Sequence, residues 1–171
     1  MEVDGKEYEL SIHDEGGTSE YNVAAEVALR DADAVLFVYS IIDRRSFFDD
    51  ILGRYSLLDR FCRVREFDRE KVRYPMVLVG AKVDLEHGDP EHTSNYRKAE
   101  REVQLSEAID FARKYDMPFF ETSAKANINV REAIEELVRE VVKYKAKGSP
   151  PPHVAGSGES AEKNKEKCGM M

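Results

Sequence analysis

The chain has 171 residues, 42% of them hydrophobic, which suffices for one buried core and leaves too little for a second full domain. Its 34 acidic against 26 basic side chains give a net charge of -8, which repels phosphate backbones at long range and sets nonspecific nucleic-acid binding aside. Cys62 and Cys168 stand far apart, so neither a disulfide framework nor a Cys-ligated metal site is expected, and a reducing, cytoplasmic setting fits. No apolar run approaches the roughly 20 residues of a membrane span, and the opening "MEVDGKEYEL" has neither the charged nor the apolar region of a signal peptide, so the body of the chain is expected to be soluble.

In chain order, Asp4-Gly5 is a hairpin signal with only three residues before it, and so with almost no first arm. Tyr8, Leu10 and Ile12 alternate with polar residues, the period of a half-buried strand. Three apolar runs follow, residues 34–39, 76–79 and 117–120, too short for helices and rich enough in Val and Phe for buried parallel strands. Helical spacing follows each of them. Phe48, Ile51, Tyr55, Leu58 and Cys62 recur at three and four, as do Leu105, Ala108, Ile109 and Ala112, and then Val130, Ile134, Leu137, Val138 and Val141. Asn129 with Glu132 resembles a capping box opening the last helix. Strands alternating with amphipathic helices predict an α/β fold, a mostly parallel sheet with helices on both faces.

Two polar stretches interrupt the pattern. Residues 86–100 read as a long exposed loop, in which His87, His92, Asp89 and Glu91 are read as solvated side chains rather than metal ligands. From residue 148 to residue 171 the chain is Pro, Gly, Ser and charge, expected to be a disordered tail, with residues 150–152 as a spacer. The folded part is therefore expected to span residues 1–147. Cys62, on an apolar helical face, is read as core.

In open parallel sheets ligands lie outside the carboxyl ends of strands. The first predicted strand ends in Asp14-Glu15-Gly16-Gly17, the third in Ala81-Lys82-Val83-Asp84, and the fourth in Glu121-Thr122-Ser123-Ala124-Lys125. A single Lys-x-Asp or Ser-Ala-Lys is common loop chemistry, but the three in this order at these strand ends are specific. Together they resemble the small GTPases of the Ras superfamily. "DADAVLFVYSIIDRRSFFDDI", "PMVLVGAKVDLE" and "FFETSAKANINVREAIEELVRE" look like its Ras and Rap branch, and Gly17-Thr18 resembles Rap, with threonine where Ras has its catalytic glutamine.

The resemblance implies a P-loop NTPase-like fold, GTP or GDP with magnesium as cofactors, and effectors, exchange factors and GTPase-activating proteins as partners. It assigns Asp84 to the guanine N1 and N2 groups, a charge-assisted bidentate pair worth ~1.5–3 kcal/mol. Lys82 would lie along a face of the base, Ala124 N–H would meet O6, and Ser123 and Lys125 would complete the loop. Asp14 would stand near magnesium through water, the Gly17 N–H would meet the γ-phosphate, and Thr18 would take the water-positioning place. Ser19, Glu20 and Tyr21 would form the surface read by partners.

The departures carry equal weight. Ala81 stands where the family has asparagine, so the amide that ties the base loop to the phosphate loop is lost. Thr18 offers one short hydroxyl in place of an amide, which implies slow intrinsic hydrolysis. No Gly-x-x-x-x-Gly-Lys-Ser/Thr occurs; the one Gly-Lys pair, Gly5-Lys6, is followed by Glu7. The family's first strand, first helix and first switch loop are also unmatched, so the chain reads as N-terminally incomplete. Without that central strand its two neighbours are expected either to pair directly or to leave an open edge, and the chain is expected to be impaired in GTP binding and hydrolysis. Three readings follow: an incomplete switch GTPase, a pseudo-GTPase acting as an interaction module, and the product of a decayed gene. Finally, Cys168-Gly169-Met170-Met171 has prenylation-box spacing, with a terminal Met favouring farnesyl, which implies weak anchoring at the inner face of the plasma membrane.

Overall fold

The computed structural model describes residues 1–14, 29, 32–64, 74–87, 100–147 and 167–170. The chain forms two compact units, one of residues 1–36, 56–76 and 137–171, the other of residues 37–55 and 77–136.

The first unit opens with a hairpin. β1 (Glu2–Val3) and β2 (Lys6–Glu7) pair antiparallel with Val3 opposite Lys6, leaving a two-residue loop. Asp4 (φ 50°) and Gly5 (φ 78°) are both left-handed, the type I′ geometry that Asp-Gly favours. The turn therefore does have a first arm, two residues long. Arg139 holds the Asp4 carboxylate with Nε at 3.1 Å.

β3 (Glu9–Ile12) follows, and the expected alternation ends within it: Tyr8 is buried and Leu10 half-buried, but Ile12 is 63% exposed. Of the two expected outcomes the open edge holds among the described residues: the strands flanking the expected gap do not pair with each other, and β3 has a single partner. It pairs in parallel with β7 (Lys167–Met170), in register Glu9 to Lys167 through Ile12 to Met170. The tail, expected to be without structure, thus contributes four residues to a sheet. Lys167–Met170 contains no proline, so each of its residues has a backbone N–H for the ladder.

Elsewhere in this unit the Tyr74 hydroxyl donates to Ala32 O at 2.7 Å, and its ring centroid lies 6.5 Å from that of Tyr144. Cys62, Leu137, Val138, Val141 and Tyr144 are buried, as their helical spacing requires.

A three-stranded sheet, in the second unit but for residues 35, 36 and 76, has the order β4-β5-β6 and comprises β4 (Val35–Ser40), β5 (Met76–Ala81) and β6 (Phe119–Thr122). β5 and β6 run parallel, with Leu78 opposite Phe119 and Ala81 opposite Thr122. All six residues of β5 except Ala81 are buried, as expected for a strand covered on both faces.

After β4 a π-helical turn, Ser46–Ile51, leads into α1 (Leu52–Val64). This corrects the sequence reading of the apolar stripe. A π turn holds more residues than an α turn, so the phase slips by one: Phe47 is 3% exposed and Phe48 36%. Phe47 meets Tyr39 edge-on at 4.7 Å and Phe111 at 5.4 Å.

Two short connections set up the rest. α2 (Asp84–His87) begins what was expected to be loop, while residues 88–99 lie outside the described residues. α3 (Leu105–Lys114) carries the capping box in this chain: the Glu107 carboxylate accepts from Gln104 N–H at 2.9 Å. α4 (Val130–Ala146) does not use the expected one. Asn129 is left-handed (φ 53°) and its Nδ2 donates to Glu121 O at 2.8 Å, so its side chain ties the helix entry to β6 instead of capping the helix.

Candidate guanine-base site

The β5–β6 register decides which loops meet. Because Ala81 stands opposite Thr122, the next residues of each strand, Lys82 and Ser123, leave the sheet side by side. Val83 N–H donates to Thr122 O at 3.1 Å, carrying the pairing one step past the sheet. The sequence motifs expected to share a pocket are thus brought together by strand pairing.

Lys82 is exposed and left-handed, with φ 71°. For a residue with a Cβ this costs about 1–2 kcal/mol, borne here because the Leu85 and Glu86 N–H groups bond within the turn while Val83 N–H ties it to Thr122 O. The turn sends the chain directly into α2, with Asp84 as its first residue.

Asp84 and Ser123 form the central contact. The Ser123 hydroxyl donates to Asp84 Oδ1 at 2.6 Å and accepts from Ala126 N–H at 2.9 Å, so both capacities of a fully buried hydroxyl are used. Asp84, half-buried, keeps lone pairs on both oxygens for further donors. Reciprocal bonds between Ser123 and Ile128, at 3.0 and 2.9 Å, close the loop between them. Asn127, left-handed at φ 53°, makes the turn. Ala124 and Lys125 stand exposed on that loop. The two neighbouring loops thus carry a carboxylate acceptor pair on Asp84, an exposed Lys82 and an exposed Ala124, group types that a planar base with an adjacent N–H and amino group can use.

An ion cluster missed by the sequence reading lies beside it. The Arg101 guanidinium, 10% exposed, binds Glu121 at 2.7 and 3.1 Å, Glu86 through Nη2, and Val103 O at 3.1 Å. These bonds, foremost that to Glu86, hold its pKa above the ordinary arginine value. In sequence "AEREV" is indistinguishable from a solvated charge run; the one available signal is a carboxylate, Glu121, directly after the apolar run of residues 117–120.

The remaining expected residues are placed less completely. Asp14 is exposed, two residues beyond β3. Gly17, Thr18, Ser19, Glu20 and Tyr21 lie outside the described residues. Cys168 lies in β7. Among the described residues no group of three or more His, Cys, Asp or Glu side chains could hold a metal, and no helix is long and apolar enough to cross a membrane. The donor set present fits a base; the described residues contain no cradle for phosphates.

A parallel α/β sheet whose neighbouring strands end in Lys-x-Asp and Ser-Ala-Lys defines a protein of the small-GTPase class. The chain belongs to the Ras family, whose sequence pattern it matches over residues 1–143. It is 38% identical over 149 residues to the Ras-related protein R-Ras of Mus musculus, and 37% identical over the same length to those of Rattus norvegicus and Homo sapiens. These matches cover 87% of this chain and 59% of each relative, so the chain spans under two thirds of the length of these R-Ras proteins.

Proposed function

We propose that this chain is the base-recognising part of a Ras- or Rap-like guanine-nucleotide switch in signal transduction. The observation that carries the reading is the Ser123–Asp84 hydrogen bond at 2.6 Å, which fixes a carboxylate beside an exposed Lys82 stem. Asp84 takes the guanine N1 and N2 donors, Lys82 flanks the ring, Ala124 N–H meets O6, and Ser123 and Lys125 support the loop. Guanine is favoured over adenine because adenine has no adjacent N1–H and amino donor pair.

Nucleotide phosphates are a separate matter. Asp14, through water to magnesium, and the Gly17 N–H, to the γ-phosphate, are the groups that would sense them, and Thr18 would take the water-positioning place. The 171 residues hold no phosphate loop, and Ala81 replaces the asparagine of the base motif. These 171 residues alone therefore bind GTP weakly and do not hydrolyse it. The test is to boil the purified protein and chromatograph the supernatant. Less than a tenth of an equivalent of guanine nucleotide, roughly, is expected; stoichiometric GDP or GTP overturns the impairment.

Ala81 and the Glu15-Gly16 pair favour a second reading, a pseudo-GTPase that presents Ser19, Glu20 and Tyr21 to partners without cycling nucleotide. Effectors, exchange factors and GTPase-activating proteins are its proposed partners in either case. Binding to a Ras effector domain that is unchanged by added GTP supports the second reading, and binding that requires GTP supports the first. Farnesylation at Cys168 would give weak, one-chain membrane association from the cytoplasmic side.

A further inference from the structure

We infer that Arg101 is a positioning residue for the base-recognition loops, holding the segment of Asp84 and the segment of Ser123 at a fixed spacing through Glu86 and Glu121. This rests on the base-site reading above and adds to it a residue outside the recognised motifs.

The geometry is that of a bridge. Glu86 is in α2, two residues after Asp84, and Glu121 is in β6, two residues before Ser123. Arg101 engages both carboxylates from a third segment, just past residues 88–99. The two sides are otherwise joined by the Val83 N–H to Thr122 O bond and by the Ser123–Asp84 bond itself. Arg101 therefore ties the outer edges of the two loops while Ser123 ties the inner ones.

Charge makes this arrangement specific. Side-chain exposures of 10% for Arg101, 19% for Glu121 and 34% for Glu86 put all three in partial shelter from water. With the guanidinium present, two carboxylates share one cation. Without it, two like charges remain in a poorly screened space, and their repulsion acts along the line that separates the two loops. Loss of Arg101 should therefore open the base site itself, beyond any general loss of stability. Removing one carboxylate as well should relieve the repulsion.

The test uses the full chain and Arg101→Met, Arg101→Met/Glu86→Gln, Glu86→Gln and, as control, Arg139→Met, whose guanidinium pairs with Asp4 in the other unit. Amide hydrogen exchange is measured without ligand at Val83, Ser123, Ala126 and Ile128. Arg101→Met is expected to raise exchange at all four by roughly tenfold over wild type, the double variant to recover at least half of that on a logarithmic scale, and Arg139→Met to leave them unchanged. Equal exchange in Arg101→Met and wild type, or an Arg101→Met effect that Glu86→Gln does not relieve, overturns the inference. If Arg101→Met fails to fold, Glu86→Gln alone decides: faster exchange at Val83 with Ile128 unchanged shows two independent contacts and overturns it, whereas a coupled rise at both supports it.

Titration with GMP, IMP and AMP, followed by the same amides, separates this from the reading it rests on. Wild type is expected to respond to GMP more than to IMP, which lacks the 2-amino group, and Arg101→Met to lose that preference. A wild type that responds to none of the three refutes base binding, while the exchange comparison still decides the role of Arg101.

Discussion

At the residue scale, several positions adopt conformations or contacts that their side chains do not favour. Asp116 follows α3 in the left-handed region (φ 51°), with Met117 N–H bonded to Ala112 O and Asp116 N–H to Arg113 O, the double bond of a Schellman motif. Glycine is the residue that geometry favours. Asp116→Gly is expected to raise stability by ~0.5–1 kcal/mol in urea denaturation at constant m-value, and a fall in the midpoint would count against the motif. Tyr39 shows a different conflict. Its hydroxyl is buried with no hydrogen-bond partner among the described residues, and burial, with help from Glu121, pushes its pKa well above the tyrosine range. Gly80 faces it so closely that a Cβ there would lie 2.7 Å from the Tyr39 oxygen. Gly80→Ala should cost ~1–3 kcal/mol through overpacking, and Tyr39→Phe should be neutral or stabilising because it removes an unpaired polar group. Combined, the two should cost less than their sum, because the phenylalanine withdraws the atom in conflict; strict additivity in a double-mutant cycle would show that the clash is relieved elsewhere.

At the element scale, strand periods and strand-end motifs were readable because they depend on local alternation and on a few chemically distinctive residues. The parallel strands, the long helices and the pairing of Lys82-x-Asp84 with Ser123-Ala124-Lys125 are of this kind. What escaped depends on geometry that local spacing does not encode. The π turn at Ser46–Ile51 shifts the inward residue from Phe48 to Phe47, and adjacent phenylalanines give no means of choosing. Asn129, with Glu132 three residues on, has the composition of a cap, but the nearness of Glu121 O diverts its side chain. Arg101 was illegible because its two partners lie 15 and 20 residues away along the chain. The entry to α3 yields a pH prediction. Glu107, bonded first to Arg44 and then to Gln104 N–H, is held below the ordinary carboxylate range. A folded-state pKa lowered in this way gives stability that is fully present above the unfolded value and lost as pH falls through the folded one. Thermal stability should therefore decline as pH drops from about 5 to about 3, and Glu107→Gln, which keeps the cap but not the charge, should flatten that decline. An unchanged slope would mean that the Arg44–Glu107 pair contributes nothing measurable at this exposure.

At the scale of the whole molecule, β3 and the C-terminal segment meet from opposite ends of the chain, a pairing that local patterning does not encode because both are short and one follows a polar tail. Four residues in parallel register cannot hold a loop of that length by hydrogen bonds alone, since each net bond contributes only ~0.5–1.5 kcal/mol against the entropy of closure. The pairing is therefore shallow and is expected to exchange with an open state in which this edge of β3 is free. An open edge of this kind is a template for another strand. A chain ending at Lys147 should show faster amide exchange at Glu9–Ile12 than the full chain. It should also form dimers or larger species as concentration rises, measured by light scattering. Adding a peptide of residues 163–171 in excess should restore protection in β3 and suppress that association. If exchange at Glu9–Ile12 is already as fast in the full chain, the tail does not occupy the edge in solution. If the peptide restores nothing, closure within one chain, and not the affinity of the strand itself, is what holds β7 in place. The same four residues include Cys168, so any enzyme that grips them as extended backbone must compete with β3. The full chain should then be modified at Cys168 more slowly than a variant in which β3 cannot pair.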